Sequence, residues 1–274
     1  MSASLPRAAA VRRSVIRVVT CNVQRANEQR TGRQATWLVN AYADVLVLTE
    51  VSAGKSGDLL AQLLLDAGFE VLLPEPSASD RYRVLVAARD AAVTRVDVEP
   101  SPMAHRCVAA RVTVGTSEIG VTGLYVPSRG PKHRRNVDKR AFQDRVTAML
   151  PHLESALAVQ GPVVITGDLN VVEPDHDPRY AVFGGWEYDF YRAFGHAGFE
   201  DAFRLKEPVR MDYSWFGRPS AEGKRNGYRF DHAFVSRAHR DTVLDCRYDH
   251  SVRTAGLTDH AALHVTLQVA DTAA

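Results

Sequence analysis

Short apolar runs of strand length alternate with segments in which apolar residues recur at helical spacing along most of the chain. The runs are rich in Val, Ile and Leu, and Gly, Asn or Asp separate many of them, as is typical of turns. We predict strands at Val15–Val23, Asp44–Thr49, Phe69–Leu73, Tyr82–Ala88, Val93–Val98, Cys107–Val114, Ile119–Tyr125, Val163–Ile165, Tyr213–Phe216, Arg229–Val235 and Ala262–Val269. We predict helices at Arg33–Tyr42, Asp58–Ala67, Arg135–Val159 and Glu187–Ala197.

The mixture of hairpin-like strands and interspersed helices favours an α+β sheet sandwich over a doubly wound parallel sheet. No Ser/Gly-rich linker and no internal repeat divides the chain, so we predict one domain over residues 15–270. The preceding residues 1–14 contain three arginines and read as a disordered tail, with contact to nucleic-acid phosphates as the alternative.

Composition narrows the class of protein. The 274 residues are 45% hydrophobic and 24% charged, which is ordinary for a globular protein. No apolar run reaches the roughly 18 to 20 residues that a membrane-spanning helix needs, and Ala8–Val11 is too short for the apolar part of a secretory signal. Three distant cysteines favour a reducing cytoplasm, where we expect the protein to be. The net charge is only +2, so nucleic-acid binding would depend on local basic clusters.

Four short segments each put polar side chains at one end of an apolar strand. The side chains are Asn22, Glu50, the pair Asp168 and Asn170, and the pair Asp259 and His260. Several oxygen ligands at strand ends can together hold a hard cation, Mg²⁺ or Mn²⁺ rather than zinc. In an extended segment Asp168 and Asn170 would face the same side, where the carboxylate can activate water and the amide can donate to a phosphate. Each segment alone is more often structural: Gly-Asp-Leu-Asn an ordinary turn, Glu50 a helix cap and Asp259-His260 a surface loop.

Taken in order, these segments resemble the endonuclease/exonuclease/phosphatase superfamily, and more narrowly its exonuclease III-type AP endonucleases. The resemblance extends from about Val15 to Val269, nearly the whole chain. The motifs that carry it are Cys21-Asn22-Val23, Leu48-Thr49-Glu50, Leu124-Tyr125-Val126-Pro127-Ser128, Gly167-Asp168-Leu169-Asn170-Val171, Tyr213-Ser214-Trp215-Phe216, Arg229-Phe230-Asp231-His232 and Thr258-Asp259-His260.

The resemblance implies a four-layer α/β sandwich, in which two packed mixed β-sheets are flanked by helices and the site lies at one end. It implies a metal site in which Glu50 binds Mg²⁺, with Asn22 and Asp259 close by, and for which Mn²⁺ can substitute. Two motifs depart from the family pattern. Cys21 and Gln24 stand where the nuclease branch commonly has Trp and often an acidic residue, and Thr49 replaces the usual Gln before Glu50.

The resemblance also implies catalytic roles. Asp168 would activate the attacking water, and Asn170 would hold the scissile phosphate. Tyr125 would donate to the phosphate or to the leaving oxygen. His260, paired with Asp231, would contact the phosphate.

Basic residues are concentrated after Tyr125. They are Arg129, Lys132, His133, Arg134, Arg135, Lys139, Arg140 and Arg145. The run predicts either a solvated helix face or a surface that follows nucleic-acid phosphates, beginning with Arg129.

A second basic cluster precedes Asp231, in a Gly-containing segment that we expect to face the substrate through Arg225. Its members are Arg218, Lys224, Arg225 and Arg229. Trp215, Phe216, Tyr228 and Phe230 flank it. By resemblance, rings here would line a pocket for a base-less sugar, with core packing as the alternative for Phe216 and Phe230.

These observations favour a Mg²⁺-dependent phosphodiesterase that acts as a monomer on double-stranded DNA, as an AP endonuclease, a 3′–5′ exonuclease or both. One alternative is a phosphatase or phosphodiesterase of the same superfamily that acts on an inositol phosphate or another small phosphoester. A catalytically silent nucleic-acid-binding domain is a third, against which the set Glu50, Asp168, Asn170, Asp259 and His260 argues. Neither an exposed apolar loop nor an export signal is evident, so we expect no membrane partner.

Overall fold

The computed structural model describes residues 13–77, 80–98, 103–129 and 133–270. The strands are β1 (Arg13–Asn22), β2 (Val45–Ser52), β3 (Phe69–Leu72), β4 (Tyr82–Arg89), β5 (Ala91–Val96), β6 (Cys107–Val114), β7 (Ser117–Tyr125), β8 (Val163–Asp168), β9 (Phe199–Asp201), β10 (Trp215–Phe216), β11 (Gly227–Tyr228), β12 (Asp231–Ser236), β13 (Val243–Asp249) and β14 (Ala262–Ala270). The α-helices are α1 (Glu28–Val39), α2 (Lys55–Asp66), α3 (His133–Met149), α4 (Leu153–Leu157), α5 (Gly185–His196), α6 (Ala202–Lys206) and α7 (Ser251–Thr254). Short 3₁₀ helices lie at Ala104–Arg106, Leu150–His152 and Arg237–Thr242.

Within these residues the strands form two six-stranded mixed sheets and a small ribbon of β10 and β11. The first sheet has the order β13-β14-β1-β2-β4-β3, and the second has the order β5-β6-β7-β8-β12-β9. Each sheet contains one parallel pair, β1 with β2 and β7 with β8, and its other neighbouring strands are antiparallel. The two sheets therefore present equivalent parallel pairs near their centres.

The hydrophobic core has three layers. Side chains such as Val47 and Val121 pack between the two sheets. Helices α1 and α2 cover the outer face of the first sheet through Leu38 and Leu64. Helices α3, α4 and α5 cover the second sheet, where Phe142 is fully buried. This arrangement confirms the predicted four-layer sandwich.

Most predicted strands and helices are present with ends shifted by a few residues. The predicted single helix Arg135–Val159 is wrong, because the chain passes through a 3₁₀ turn at Leu150–His152 between α3 and α4. Pro151 has no N–H group to continue the α-helical hydrogen bonds there. Tyr213–Phe216 is a strand only in its second half, and Arg229–Val235 begins as a loop that leads into β12.

Within the described residues, five strands and α-helices were not predicted, namely β9, α6, β11, β13 and α7. The predicted tail at residues 1–14 lies outside the described residues, except for its last two residues, with which β1 begins. Among the helices of the described residues, none combines the length and the apolar character that a membrane-spanning helix requires.

Candidate active site

The carboxyl ends of the two parallel strand pairs meet at one end of the sandwich. Asn22 ends β1 and Tyr125 and Asp168 end β7 and β8, while Glu50 lies near the end of β2. At this end of the sandwich, two side-chain hydrogen bonds connect the first sheet to the second. The Asn22 amide donates to Asp168 Oδ2 at 2.8 Å, and the Tyr125 hydroxyl donates to Glu50 Oε1 at 2.8 Å. The polar residues that the sequence places at strand ends are thus in contact.

A bulge in β2 brings Glu50 into this site. The pairing of β2 with β4 shifts register between Leu48 and Val51, and Glu50 has a positive φ of 53°. A bulge re-aims a side chain relative to the regular pleat. A non-glycine residue in the left-handed region costs roughly 1–3 kcal/mol and is most often found at functional sites. The bulge leaves the Glu50 carboxylate at the surface of a cavity instead of in the core.

Asp168 is held in place by a glycine before it and a turn after it. Gly167 has a φ of 142°, and a Cβ atom there would lie 2.1 Å from the Leu124 carbonyl oxygen, so only glycine allows β8 this close to β7. After Asp168 the chain turns, since Asn170 has a φ of 48°. The Asn170 backbone N–H donates to Asp168 Oδ1 at 2.9 Å. The predicted extended geometry is wrong, because Asn readily adopts the left-handed turn conformation.

The side chain of Asn170 nevertheless lies beside the carboxylate of Asp168. Its amide donates to the Val126 carbonyl at 3.0 Å and to Asp168 Oδ2 at 3.3 Å. Asp168 is only 1% exposed. Burial raises the pKa of its carboxyl to about 7, and the charge of Asp231 acts in the same direction, while His260 opposes it. Asp168 can therefore gain and lose a proton near neutral pH.

His260 and Asp231 form a buried pair beside Asp168. Asp231 begins β12 directly opposite Asp168 in the antiparallel pairing with β8. The Nδ1 atom of His260 lies 2.7 Å from Asp231 Oδ2. Burial alone would lower the pKa of His260, but the Asp231 carboxylate outweighs it and raises the pKa to about 10. At neutral pH the ring is an imidazolium that donates Nδ1–H to Asp231 and has Nε2–H on its opposite side.

A cavity of about 470 Å³ opens above these groups. The predicted site residues that line it are Glu50, Arg129, Asp168, Asn170, Trp215, Tyr228, Phe230, Asp259 and His260. Residues that the sequence analysis did not select also line it, namely Gln24, Ser128, Val182 and Phe183. Tyr125 lies outside this cavity and lines a neighbouring one of about 300 Å³, to which Glu50 also contributes.

A family model described as the Endonuclease/Exonuclease/phosphatase family matches residues 19–260 of the chain. The chain belongs to this family. Membership confirms the predicted superfamily and the predicted enzyme class, a phosphodiester hydrolase. Among curated protein sequences, none matches the chain.

Solved structures similar to this family member include enzymes that act on DNA. The 3′ phosphatase NExo from Neisseria, bound to a product DNA hairpin, is 20% identical with a TM-score of 0.73, covering 91% of this chain and 98% of that one. An AP endonuclease from Archaeoglobus fulgidus is 20% identical with a TM-score of 0.71, covering 94% of this chain and 100% of that one. The AP endonuclease LMAP from Leishmania major is 21% identical with a TM-score of 0.72, covering 93% and 88%. At these identities the likeness shows a shared fold.

Aromatic rings form one wall of the cavity in this family member. The rings of Tyr228 and Phe230 stack with centroids 5.1 Å apart, and Trp215 stacks on Phe230 at 5.8 Å. Phe183 meets Phe230 edge to face at 6.1 Å. Core packing is therefore the wrong alternative for Phe230, which is partly exposed to the cavity. Phe216 does not line it and packs under the Arg253 guanidinium instead.

The basic run after Tyr125 divides between surface and interior. Arg129 lines the cavity, and its guanidinium donates to Glu187 Oε2 at 2.7 Å. Lys139 is fully buried, so its predicted role on a phosphate-following surface is wrong, whereas Arg140 and Arg145 are exposed. Lys132 and the side chains of residues 133–135 lie outside the described part of the chain.

The second basic cluster does not reach the cavity. Arg229 is buried and pairs with Glu173 and Asp201 at 2.8 Å each, because it faces the opposite side of the chain from its neighbours Tyr228 and Phe230. Arg229 is therefore not available to substrate. The exposed residues Arg218, Lys224 and Arg225 do not line the cavity. The predicted substrate contact of Arg225 thus has no counterpart in the cavity wall.

The donor chemistry of the site fits a hard cation. No group of three or more His, Cys, Asp or Glu side chains is arranged as a metal site within the described residues. Asp259 Oδ2 accepts from the Trp215 indole at 2.9 Å, and Asn22 Oδ1 accepts from the Gln24 N–H at 2.8 Å. Glu50, whose Oε1 accepts from the Tyr125 hydroxyl, and Asp259 both line the cavity and are the candidate carboxylate ligands. Mg²⁺ commonly binds through one or two carboxylates, with water and substrate phosphate completing the shell.

Proposed function

We propose that this protein is a Mg²⁺-dependent phosphodiesterase that cleaves DNA as an AP endonuclease, a 3′–5′ exonuclease or both, and acts as a monomer. The observation that carries the proposal is the composition of one cavity. A buried carboxylate, Asp168, and a buried imidazolium, His260, lie on its floor beside the Glu50 carboxylate, and stacked rings form its wall. Phosphodiester cleavage needs a base, a cation for the phosphoryl oxygens and a donor to the leaving oxygen.

Asp168 is the proposed general base. The side chain of Asn22 and the backbone N–H of Asn170 fix its carboxylate. Its pKa of about 7 allows it to take a proton from water at neutral pH. The Asn170 amide, which lines the same cavity, would then exchange its long 3.3 Å hydrogen bond to Asp168 Oδ2 for one to a phosphoryl oxygen.

His260 and Tyr125 are the proposed donors. Asp231 keeps His260 protonated, so its Nε2–H group can make a charge-assisted hydrogen bond to the phosphate. Burial, together with the Glu50 and Asp168 carboxylates, raises the pKa of Tyr125 above its ordinary value, and the hydroxyl keeps its proton. Tyr125 would donate that proton toward the phosphate or the leaving oxygen from beside Glu50.

Mg²⁺, for which Mn²⁺ would substitute, fits beside Glu50, with oxygens of Asp259 and Asn22 nearby. When bound there it would neutralise charge that develops on the phosphoryl oxygens. Glu50 Oε1 accepts from the Tyr125 hydroxyl at 2.8 Å, so the residue that would hold the cation also orients the proposed donor.

The aromatic wall supports DNA with an exposed sugar as the substrate. A base-less sugar is compact, and its extrusion costs less than that of a paired nucleotide because no pairing or base stacking is lost. Trp215, Tyr228 and Phe230 supply an apolar surface next to His260, and Arg129 supplies a cation for a flanking phosphate. NExo, which shares the fold, is described with a product DNA hairpin.

A substrate panel tests the proposal. Turnover is measured on a duplex with one abasic site, on the same duplex without it, and on an inositol phosphate, each with Mg²⁺ and with excess chelator. We expect Mg²⁺-dependent cleavage of DNA with preference for the abasic duplex, and loss of it in Asp168→Asn. Hydrolysis of the inositol phosphate alone would favour the small-phosphoester alternative. Binding of DNA without any turnover would favour a silent binding domain.

A further inference from the structure

A buried ion pair lies behind the cavity and contacts the segments that line it. Lys139 of α3 and Glu187 of α5 are both fully buried, with Nζ 2.6 Å from Oε1. Lys139 Nζ also donates to the backbone carbonyl of Asn170 at 2.8 Å. Neither Lys139 nor Glu187 lines the cavity. The pair can act on the substrate only through other residues.

The second carboxylate oxygen of Glu187 extends the network to two further segments. It accepts from the Arg129 guanidinium at 2.7 Å and from the Gly184 backbone N–H at 2.9 Å. The same guanidinium nitrogen of Arg129 donates to the Val182 carbonyl. The loop after β7, the turn after β8 and the loop before α5 are therefore joined through one buried carboxylate and one buried ammonium.

Stabilisation of the fold does not by itself explain why two charged residues are buried as a pair here. Removing two charges from water is costly, and an apolar pair of similar volume is often as stable. The position of the pair offers a better reason. Lys139 holds the carbonyl of Asn170, a residue in the left-handed conformation whose amide reaches Asp168. Glu187 holds Arg129 at the cavity wall.

We propose that Lys139 and Glu187 are positioning residues for phosphate recognition, Lys139 by fixing Asn170 and Glu187 by fixing Arg129. This inference rests on the proposed function, since it assigns Asn170 to the reacting phosphate and Arg129 to a flanking one. Burial lowers the pKa of Lys139 below its ordinary value, and the Glu187 carboxylate opposes that shift.

The two residues should affect catalysis in different ways. Lys139→Met removes the donor to Asn170 while keeping a chain of similar length, and kcat should fall by about 10²-fold with little change in KM, because a displacement of about 1 Å at the reacting group has that effect. Glu187→Gln weakens the hold on Arg129, and KM should rise more than kcat falls. Arg129→Met should raise KM similarly.

Double-mutant cycles separate positioning from general damage. Lys139→Met in an Asn170→Ala background should cost almost nothing further, because the residue through which Lys139 acts is gone. The matched control is Gln143→Met, on the same helix one turn later, which is also buried and which is in contact with neither Asn170 nor Glu187 through a hydrogen bond of the described residues. It should leave kcat within about twofold of wild type. Additive losses in the cycle, or an equal loss in Gln143→Met, would overturn the inference.

A readout that does not depend on turnover distinguishes this inference from the proposed function. The side-chain amide resonances of Asn170, followed by ¹⁵N NMR, should shift in Lys139→Met and stay in place in Gln143→Met. If Lys139→Met does not fold, Lys139→Met/Glu187→Met removes both charges together and serves in its place. A wild type without DNA cleavage would remove the proposed function, whereas an unmoved Asn170 amide would remove the positioning role alone.

Discussion

The Nδ1 atom of His260 lies 2.7 Å from Asp231 Oδ2, and both side chains are buried, with His260 lining the cavity and Asp231 behind it. Asp231 also stands directly opposite Asp168 across the pairing of β12 with β8. The Asp231 carboxylate therefore contributes to raising the pKa of both Asp168, the proposed base, and His260, the proposed donor to the phosphate. This shared influence leads to a definite pH dependence.

We expect kcat/KM to rise with pH through about 7, as Asp168 loses its proton, and to fall near 10, as His260 loses its own. Asp231→Asn removes the charge that favours the protonated form of both groups. Both limbs of the profile should then move to lower pH, the alkaline limb toward the ordinary imidazole value of about 6.5. A pH–rate profile of the two proteins measures this. An alkaline limb that stays near 10 in the variant would show that His260 is not the group that titrates.

Asp168→Asn should lower kcat by several orders of magnitude, because an amide cannot accept a proton from water. The same change should stabilise the fold at alkaline pH. The folded-state pKa of Asp168 is raised, so its ionisation destabilises the fold increasingly as pH rises from the unfolded value near 3.8 to about 7, and fully above that. The gain in unfolding free energy at pH 8 is at most about 4 kcal/mol.

Urea unfolding at pH 8 and pH 4, without divalent metal, measures this effect. The difference between Asp168→Asn and wild type should be present at the higher pH and absent at the lower one. A variant that is destabilised equally at both values would show that the folded-state pKa of Asp168 is not raised, and that the substitution only removes the hydrogen bond from Asn22.

Glu50→Gln should raise the Mg²⁺ concentration needed for half-maximal rate, because an amide oxygen is a weaker ligand than a carboxylate. Excess chelator should abolish activity of the wild type. Calorimetric titration with Mg²⁺ alone gives a second measurement that needs no turnover. Asp138→Asn is the matched control, since Asp138 lines the neighbouring cavity together with Glu50 but not the proposed active site. Equal metal affinities in wild type and Glu50→Gln would remove Glu50 from the metal site.

If the exposed part of the basic run follows DNA phosphates, affinity should fall steeply with salt. Arg140→Ala/Arg145→Ala should then reduce the slope of log K against log salt by about 2. Arg237→Ala, an exposed arginine that pairs with Glu200, is the control and should leave the slope unchanged. A slope unaltered by the double change would restore the interpretation of a solvated helix face.

Tyr228→Ala should reduce the preference for abasic over intact duplex, since it removes the ring that stacks on Phe230 in the cavity wall. The preference is measured as the ratio of kcat/KM for the two duplexes. Phe216→Ala is the matched control, because this ring belongs to the same ribbon without lining the cavity. An equal effect of the two substitutions would mean that the ribbon, not the pocket, sets the preference.

The strand ends of the site could be predicted from the sequence, because a polar residue after a buried apolar strand can only lie at the edge of a sheet. This reasoning located Asn22, Glu50 and Asp168. It could not give the bulge that turns Glu50 toward the cavity, since the register shift depends on the pairing of β2 with β4. Nor could it find Phe183, which lies in a loop without periodicity.

Charged residues were the least predictable part of the site. In the sequence, Lys139 is indistinguishable from the other basic residues of the run after Tyr125. Its burial depends on Glu187, a residue 48 positions away. Arg229 reads as a loop cation, and its burial depends on Glu173 and Asp201. The spacing of polar and apolar residues predicts which face of an element a residue occupies. It does not predict whether an opposite charge from a distant part of the chain lies on that face.

Strand β1 lies between β2 and β14, so the first sheet is complete only when the last strand has been added. Thr258, just before β14, donates to the carbonyl of Asn22 at 2.6 Å across 236 positions of the chain. A chain still on the ribosome that has not reached residue 260 lacks His260 and leaves the edge of β1 unpaired. The proposed set of catalytic groups is therefore incomplete until residue 260 has been added.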